Sequence, residues 1–166
     1  MCSPRRRPSR SSGWGRWRIA AFVILIACNA SAADFAVIVG ANARVSEVSM
    51  DVLKRVFALD TRHWEGGDPV AVLLPGSAQP AREVLLQRIL HVDEPQLRQL
   101  ILGKIYRGEI TFPPRVPNSD RQAIEFVASA HNLVAIVPAE IVSGAQVRVL
   151  TIDGKRPGDE GYPLRR

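Results

Sequence analysis

The stretch PGSAQPAR, residues 75–82, carries the polar side chains whose types and spacing best suit chemistry in this sequence. It follows the apolar run 70–74 and leads into an amphipathic segment. Backbone N–H groups at a helix start lack intrahelical partners, and with the helix dipole they favour a bound anion. Ser77, Gln79 and Arg82 are therefore candidate contacts for a small oxyanion such as phosphate. The alternative is that Ser77 only caps its own helix.

Arg115 is a further candidate ligand. Prolines at positions 113, 114 and 117 surround it and favour extended backbone, so the side chain would be presented at low entropic cost. A guanidinium suits bidentate contact with phosphate. The alternative is an arginine that is simply solvated or paired with a nearby acid.

The sequence gives little support for an enzyme or for a metal-binding protein. His63, His91 and His131 are isolated, and no zinc-type spacing with cysteine or a second histidine occurs. Asp60, Glu65 and Asp68 lie near His63, as acids in a polar loop commonly do. The turn PGSAQ lacks the second glycine of a serine-hydrolase elbow. We therefore predict no catalytic residues, no metal and no cofactor.

The positive charge of the chain is confined to its beginning. Of the 22 Lys and Arg residues, six fall in residues 1–32 without any acid, so the remainder carries 16 bases against 16 acids. A neutral body lacks the basic stripe that nucleic-acid binding requires. We expect no nucleic-acid partner.

Residues 1–32 have the shape of a secretory signal peptide. An arginine-rich start precedes the apolar run 19–27 and the A-x-A pattern 30–32. The nine-residue run is shorter than the roughly 20 residues of a membrane-spanning helix. The sequence LIAC ending at Cys28 also fits a lipobox. We expect a soluble periplasmic protein, or alternatively a lipoprotein that meets the membrane only through a lipid on Cys28.

The two cysteines, Cys2 and Cys28, both lie in this leader. Cleavage after Ala32 would leave no thiol, which excludes a disulfide framework. A body of this size can bury one core without such cross-links.

Apolar runs bounded by turn residues predict strands at residues 35–39, 70–74, 133–137 and 147–152. Four helices are predicted between them, at residues 49–59, 77–90, 93–107 and 118–130, with Ser49, Asp93 and Ser119 as caps. The third helix should bury Leu97, Leu100, Ile101 and Ile105 and turn Lys104 elsewhere, and the fourth should bury Ile124, Val127 and Ala128. Trp64 should cover the edge of the core.

Strands that alternate with helices predict an α/β domain with a mainly parallel sheet flanked by helices. We expect this domain to span residues 33–152. Residues 153–166, rich in Gly, Pro and charge, are expected to form a frayed polar tail.

The order of these signals resembles the small periplasmic-binding-protein-like family, often described as phosphate ABC transporter substrate-binding proteins. The likeness covers most of residues 35–152 and rests on an ordered series of short motifs: VFAL at 56–59, WEGG at 64–67, VAVLL at 70–74, YRG at 106–108, FPP at 112–114, NSD at 118–120 and NLVAIVPA at 132–139. The match is to the second half of full-length phosphate-binding proteins. It implies a single type II lobe.

The resemblance also implies a function. In the family a Ser-Gly-Thr turn cradles the oxyanion, and Ser77 matches its serine, while Ala78 and Gln79 stand where the family has Gly and Thr. The implied role is weak capture of phosphate or another oxyanion for an ABC-type uptake system. The alternative is an interaction module that docks on a membrane sensor or envelope complex, and a homodimer that rebuilds a two-lobed cleft is a third option.

Overall fold

β1, Phe35–Gly40, is the strand on which the fold is built, because its six residues are all buried. The computed structural model describes residues 33–166; the predicted signal peptide and Cys28 lie outside the described residues. The remaining strands are β2 (Glu47–Val48), β3 (Ala71–Val72), β4 (Leu133–Pro138), β5 (Val147–Val149) and β6 (Thr151–Ile152). The helices are α1 (Met50–Phe57), α2 (Pro80–Val84), α3 (Glu94–Tyr106) and α4 (Asp120–Ser129). A π-helical segment, Leu85–Leu90, continues α2.

The main sheet has four strands in the order β3-β4-β1-β5, and β2 pairs with β6 in a separate two-stranded sheet. The predicted α/β lobe is confirmed, but the expected mainly parallel pairing is wrong for this sheet. β1 runs antiparallel to both β4 and β5, and within this sheet only β3 and β4 pair in parallel. A central strand buried on both faces is continuously apolar in either direction, so the run FAVIV could not distinguish the two. The predicted last strand is divided between the two sheets.

The two faces of β1 serve two hydrophobic cores. Phe35, Val37 and Val39 belong to the larger core, which also takes in α1 and the π-helical segment. Ala36 and Ile38 belong to the smaller core beneath α4. Alternate side chains of a strand point to opposite faces, so one short strand joins both layers. Trp64, only 6% exposed, belongs to the larger core, as predicted.

Three predicted helix starts are confirmed with their caps. The side chains of Ser49 and Ser119 accept from the amides three residues ahead, at 3.3 and 3.1 Å. Asp93 and Gln96 form a reciprocal capping box at the start of α3. These local patterns were readable because a cap is decided by residues within one turn of each other.

Lys104 of α3 corrects the predicted helix face. It is buried at 6% exposure, and its Nζ donates to Asp60 at 2.7 Å and to Glu109 at 3.0 Å. The hydrogen bond to Asp60 raises the pKa of the Lys104 ammonium above its ordinary value. Of the predicted apolar positions only Leu97 is fully buried. An ammonium held by two carboxylates can replace apolar contact on a helix face.

α4 also differs in detail from its prediction. Val127 is buried as expected, but Ala128 is exposed and Ala123 is buried instead. A small alanine gives little signal of the direction in which it points.

The last residues of the chain are packed into the fold, and the expectation that they fray is wrong. Leu164 is fully buried and Tyr162 nearly so. The Tyr162 hydroxyl donates to the Phe35 carbonyl at 2.8 Å, and the Phe35 amide donates to the Leu164 carbonyl at 3.1 Å. Arg165 pairs with Asp34, which lowers the pKa of that carboxyl. The C-terminal segment is thus fastened to the start of β1.

Within residues 33–166, no helix combines the length and the apolar character needed to cross a membrane.

Truncation of Leu164 should test this C-terminal packing. We expect Leu164→Ala to lower the free energy of unfolding by about 2–5 kcal/mol, because it leaves a cavity in the larger core. Urea denaturation of the full chain would measure the change. The exposed Glu160→Ala variant is the control and should change stability by less than about 0.5 kcal/mol. Equal stability of the two variants would show that the segment does not pack as described.

Candidate functional site

The corner predicted to bind an anion is a tight turn followed by a helix. α2 begins at Pro80, and its N-cap is Gln79 rather than Ser77. α2 therefore starts three residues later than predicted, and Ser77 does not cap it. Ser77 lies exposed in a turn that spans Gly76 to Gln79.

Two hydrogen bonds close this turn and use two of its backbone amides. The Gln79 amide donates to the Gly76 carbonyl at 2.9 Å, and the Gly76 amide donates to Gln79 Oε1 at 2.5 Å. The amides of the two central residues, Ser77 and Ala78, take no part in these bonds. Gln79 Nε2 is buried and is without a partner in the described part of the chain. The turn therefore keeps two backbone amides and the Ser77 hydroxyl for a ligand.

Arg82 is already occupied by protein groups. Its Nε and Nη2 donate to the two carboxylate oxygens of Glu94 at 3.0 and 2.7 Å, and its Nη1 donates to the Pro75 carbonyl at 3.1 Å. The guanidinium side chain is only 13% exposed. The hydrogen bond from Arg82 lowers the pKa of the Glu94 carboxyl, so the pair stays charged at neutral pH. A phosphate would have to displace a bidentate carboxylate to reach this arginine.

The turn opens on a cleft of about 950 Å³ that holds charge of both signs. Ser77, Gln79 and Arg82 all line it. Arg166 also lines it and pairs with Glu83 at 2.8 Å. Asp93 adds a third acid to the lining. Each arginine of the cleft is therefore paired with a carboxylate. Because the lining has three acids and two arginines, its net formal charge does not favour an anion.

Arg115 lies elsewhere. It lines a separate groove of about 470 Å³ beside β3, not the cleft of Ser77. Its backbone forms a parallel bridge with Leu73, and its guanidinium carbon lies 5.2 Å from the centre of the Phe126 ring. The structure thus brings three of the four predicted ligands together and separates the fourth.

Glu94 and Glu83 are the residues of the cleft that sequence reasoning missed. Glu94 is recognisable in the sequence only as an acid in the first turn of α3. Its partner Arg82 is twelve positions away, across the π-helical segment and the left-handed His91. No local periodicity signals such a pair. Across the described residues, no three His, Cys, Asp or Glu side chains are grouped as metal ligands would be.

Comparison with solved structures identifies the fold. The chain is similar to the PstS of Borrelia burgdorferi, with a TM-score of 0.65 and 9% identity over 81% of this chain and 55% of that one. It is similar also to an ABC-type phosphate transport receptor from Vibrio cholerae, with a TM-score of 0.61 and 13% identity over 80% and 53% of the two chains. No protein-family model and no curated protein matches.

The resemblance drawn from the sequence is confirmed at the level of the fold. The chain has an α/β lobe of the solute-binding type. The chain spans about half the length of the solved structures that it matches.

Replacement of Arg82 should release Glu94 from its ion pair. Because the folded-state pKa of Glu94 is lowered, the pair stabilises the fold above the ordinary value of 4.5, and this stabilisation is lost as pH falls through the lowered pKa. We expect Arg82→Met to return the Glu94 pKa toward its ordinary value and to flatten the acid limb of the stability curve. Carboxyl NMR would measure the pKa. Arg88→Met, at an exposed position, is the control, and an unchanged Glu94 titration in Arg82→Met would contradict the pairing.

Proposed function

We propose that the chain is an exported, non-enzymatic interaction module: one lobe of the solute-binding fold that docks on a protein of the bacterial envelope. The predicted leader supports export to the periplasm. A transporter permease or a membrane sensor is the kind of partner that a binding-protein lobe would meet there. Attachment through a lipid on Cys28 would hold the lobe close to such a partner.

The observation that carries this proposal is the state of Arg82. High-affinity oxyanion sites rely on unpaired cations and converging donors. Here Glu94 and the Pro75 carbonyl already take three hydrogen bonds from the guanidinium. Arg166, the other cation of the cleft, is paired with Glu83. With three acids against two arginines in its lining, the cleft gives a phosphate ion no net attraction.

Two aromatic side chains are strongly exposed and are available for contact with a partner. Tyr106 is 86% exposed and Phe112 is 79% exposed, and Val116 lies nearby in the chain at 52%. Aromatic residues are enriched in protein interfaces because they bury large area with little entropic cost. These side chains favour docking over solute capture.

Photocrosslinking tests the docking proposal. With p-benzoylphenylalanine in place of Phe112, irradiation of the cells that produce the protein should give a discrete adduct of one partner. The same amino acid at Arg88, an exposed position away from this surface, is the control and should give no such adduct. Equal crosslinking at both positions, or none at Phe112, would overturn the proposal.

Weak oxyanion binding at the Gly76–Gln79 turn is the second candidate function, and it would serve an ABC-type uptake system. The two central amides and the Ser77 hydroxyl favour it, since they remain available beside the cleft. We expect an affinity for phosphate no tighter than roughly millimolar, because no unpaired cation contributes.

Titration calorimetry with phosphate and sulfate separates this second function from docking. If the turn binds, Ser77→Ala should weaken phosphate binding several-fold, whereas Ser46→Ala, at an exposed position outside the cleft, should not. Arg82→Met should leave the affinity nearly unchanged, because the guanidinium is held by Glu94. The absence of heat and of any shift in melting temperature at millimolar phosphate would remove the solute-binding candidate.

A further inference from the structure

The groove beside β3 differs from the cleft of Ser77 in its charge. It has a volume of about 470 Å³, and Arg62 and Arg115 line it with no acidic residue among the other described side chains of its lining. Neither arginine forms a salt bridge within residues 33–166. In the cleft, by contrast, each arginine is paired with a carboxylate. The groove therefore attracts a negatively charged group.

Arg115 is held in a position that suits the binding of an anion. Its guanidinium carbon lies 5.2 Å from the centre of the Phe126 ring, within the range of a cation–π contact. Its backbone is fixed to β3, since the Leu74 amide donates to the Arg115 carbonyl at 3.0 Å. The N–H bonds of a guanidinium lie in its own plane. A guanidinium that lies over a ring can therefore still donate two parallel hydrogen bonds to a carboxylate.

Most of the remaining lining of the groove is apolar, and it includes Ile110, Phe112 and Pro114. Ile110 is nearly buried, at 8% exposure, whereas Phe112 is 79% exposed. An apolar group that enters the groove would cover Phe112, and the burial of that area is favourable. The lining thus suits a ligand that carries an apolar group next to its negative charge.

Chain segments already flank β3 at this groove. The Val70 amide donates to the Arg62 carbonyl at 2.8 Å, and Leu73 forms a parallel bridge with Arg115. The two segments accept from Val70 and Leu74, four residues apart in the chain, which is roughly 13 Å along a strand. A ligand of this short groove is therefore recognised by its charge and its apolar side chain rather than by strand pairing.

The C-terminal residue of a protein combines these two features, because its α-carboxylate and its side chain are attached to the same carbon. An internal acidic residue carries its carboxylate on its own side chain, so the apolar group has to come from another residue. A chain end also needs only one way into a short groove, whereas an internal segment must enter and leave. Capture of a C-terminal carboxylate is a recurring mode of peptide recognition.

We propose that the groove between Arg62 and Arg115 captures the C-terminus of a partner protein that ends in a large apolar residue. The α-carboxylate binds Arg115, and the last side chain packs against Ile110 and Phe112. Arg62 adds attraction through its charge. This inference rests on the docking function proposed above and names the chemistry of the partner.

The probe is the peptide Gly-Ser-Gly-Ser-Val-Leu with fluorescein at its N-terminus. By fluorescence anisotropy at low salt, the free acid should bind the full chain at least about fivefold more tightly than the same peptide with a C-terminal carboxamide. Replacement of the last leucine by serine should weaken binding several-fold, because apolar burial is lost. Two serines added after the leucine should also weaken it, because they separate the carboxylate from the apolar side chain.

Substitution of the arginines identifies the groove as the site. Arg115→Gln should remove the preference for the free acid, so that the acid and the carboxamide bind within about twofold of each other. The Arg115 side chain is exposed, so the fold should tolerate the change. Arg62→Gln should weaken binding of the acid but keep part of the preference. Arg88→Gln, the same change at another exposed position, is the control and should bind like the unmodified chain.

Equal binding of the acid and the carboxamide would overturn the proposal, and so would an unchanged preference in Arg115→Gln. If N-acetyl-leucine bound as tightly as the peptide, the occupant would be a small molecule and the proposal would be wrong. Dimerisation of the chain that is abolished by Arg115→Gln would also overturn it, because the occupant would then be a second copy.

The crosslinking at Phe112 separates this proposal from the docking function. A discrete adduct without binding of the free-acid peptide would leave docking standing and reject only the C-terminus as its ligand. Loss of the adduct would reject docking itself.

Discussion

Burial of β1 on both faces is the constraint on which the rest of the structure depends. Its alternating side chains enter two cores, and its two edges pair with β4 and β5. The C-terminal segment packs against its first residues, with Leu164 buried and the Tyr162 hydroxyl bonded to the Phe35 carbonyl. Because the strand is central, both helical layers and the chain end are positioned relative to it. The outer strand β3 is joined to β1 only through β4.

The sequence predicted those features that are decided locally. The apolar runs of β1 and β4 and the caps at Ser49, Asp93 and Ser119 all involve residues close together in the chain. Pairing direction was not predictable, because a strand buried on both faces carries the same apolar run whether its neighbours are parallel or antiparallel. The burial of Lys104 and of the polar C-terminal segment depends on partners 44 and 127 or more positions away. Composition alone assigned those residues to the surface.

The candidate site shows the same difference between features that the local sequence predicts and features that packing decides. Sequence reasoning placed Ser77, Gln79 and Arg82 at one corner, and they do line one cleft. It could not foresee that Glu94 neutralises Arg82, since the contact forms only when the π-helical segment turns back at His91. It also grouped Arg115 with them, although the proline-containing segment places that residue beside β3. The sequence therefore identified groups that could donate hydrogen bonds to a ligand. It did not identify the acid that neutralises Arg82, because that contact forms only when the chain packs.

The two concave surfaces differ in one physical respect, which decides between capture and docking. In the cleft, each arginine already forms an ion pair with a carboxylate. A ligand would have to break that pair before it could bind the guanidinium, and breaking the pair costs free energy. Beside β3, neither Arg62 nor Arg115 forms a salt bridge within the described residues, and Arg115 lies over the Phe126 ring. An acidic group that binds there does not have to break an ion pair first. A groove with unpaired arginines and the exposed Phe112 is better suited to a partner chain than a cleft whose arginines are already paired.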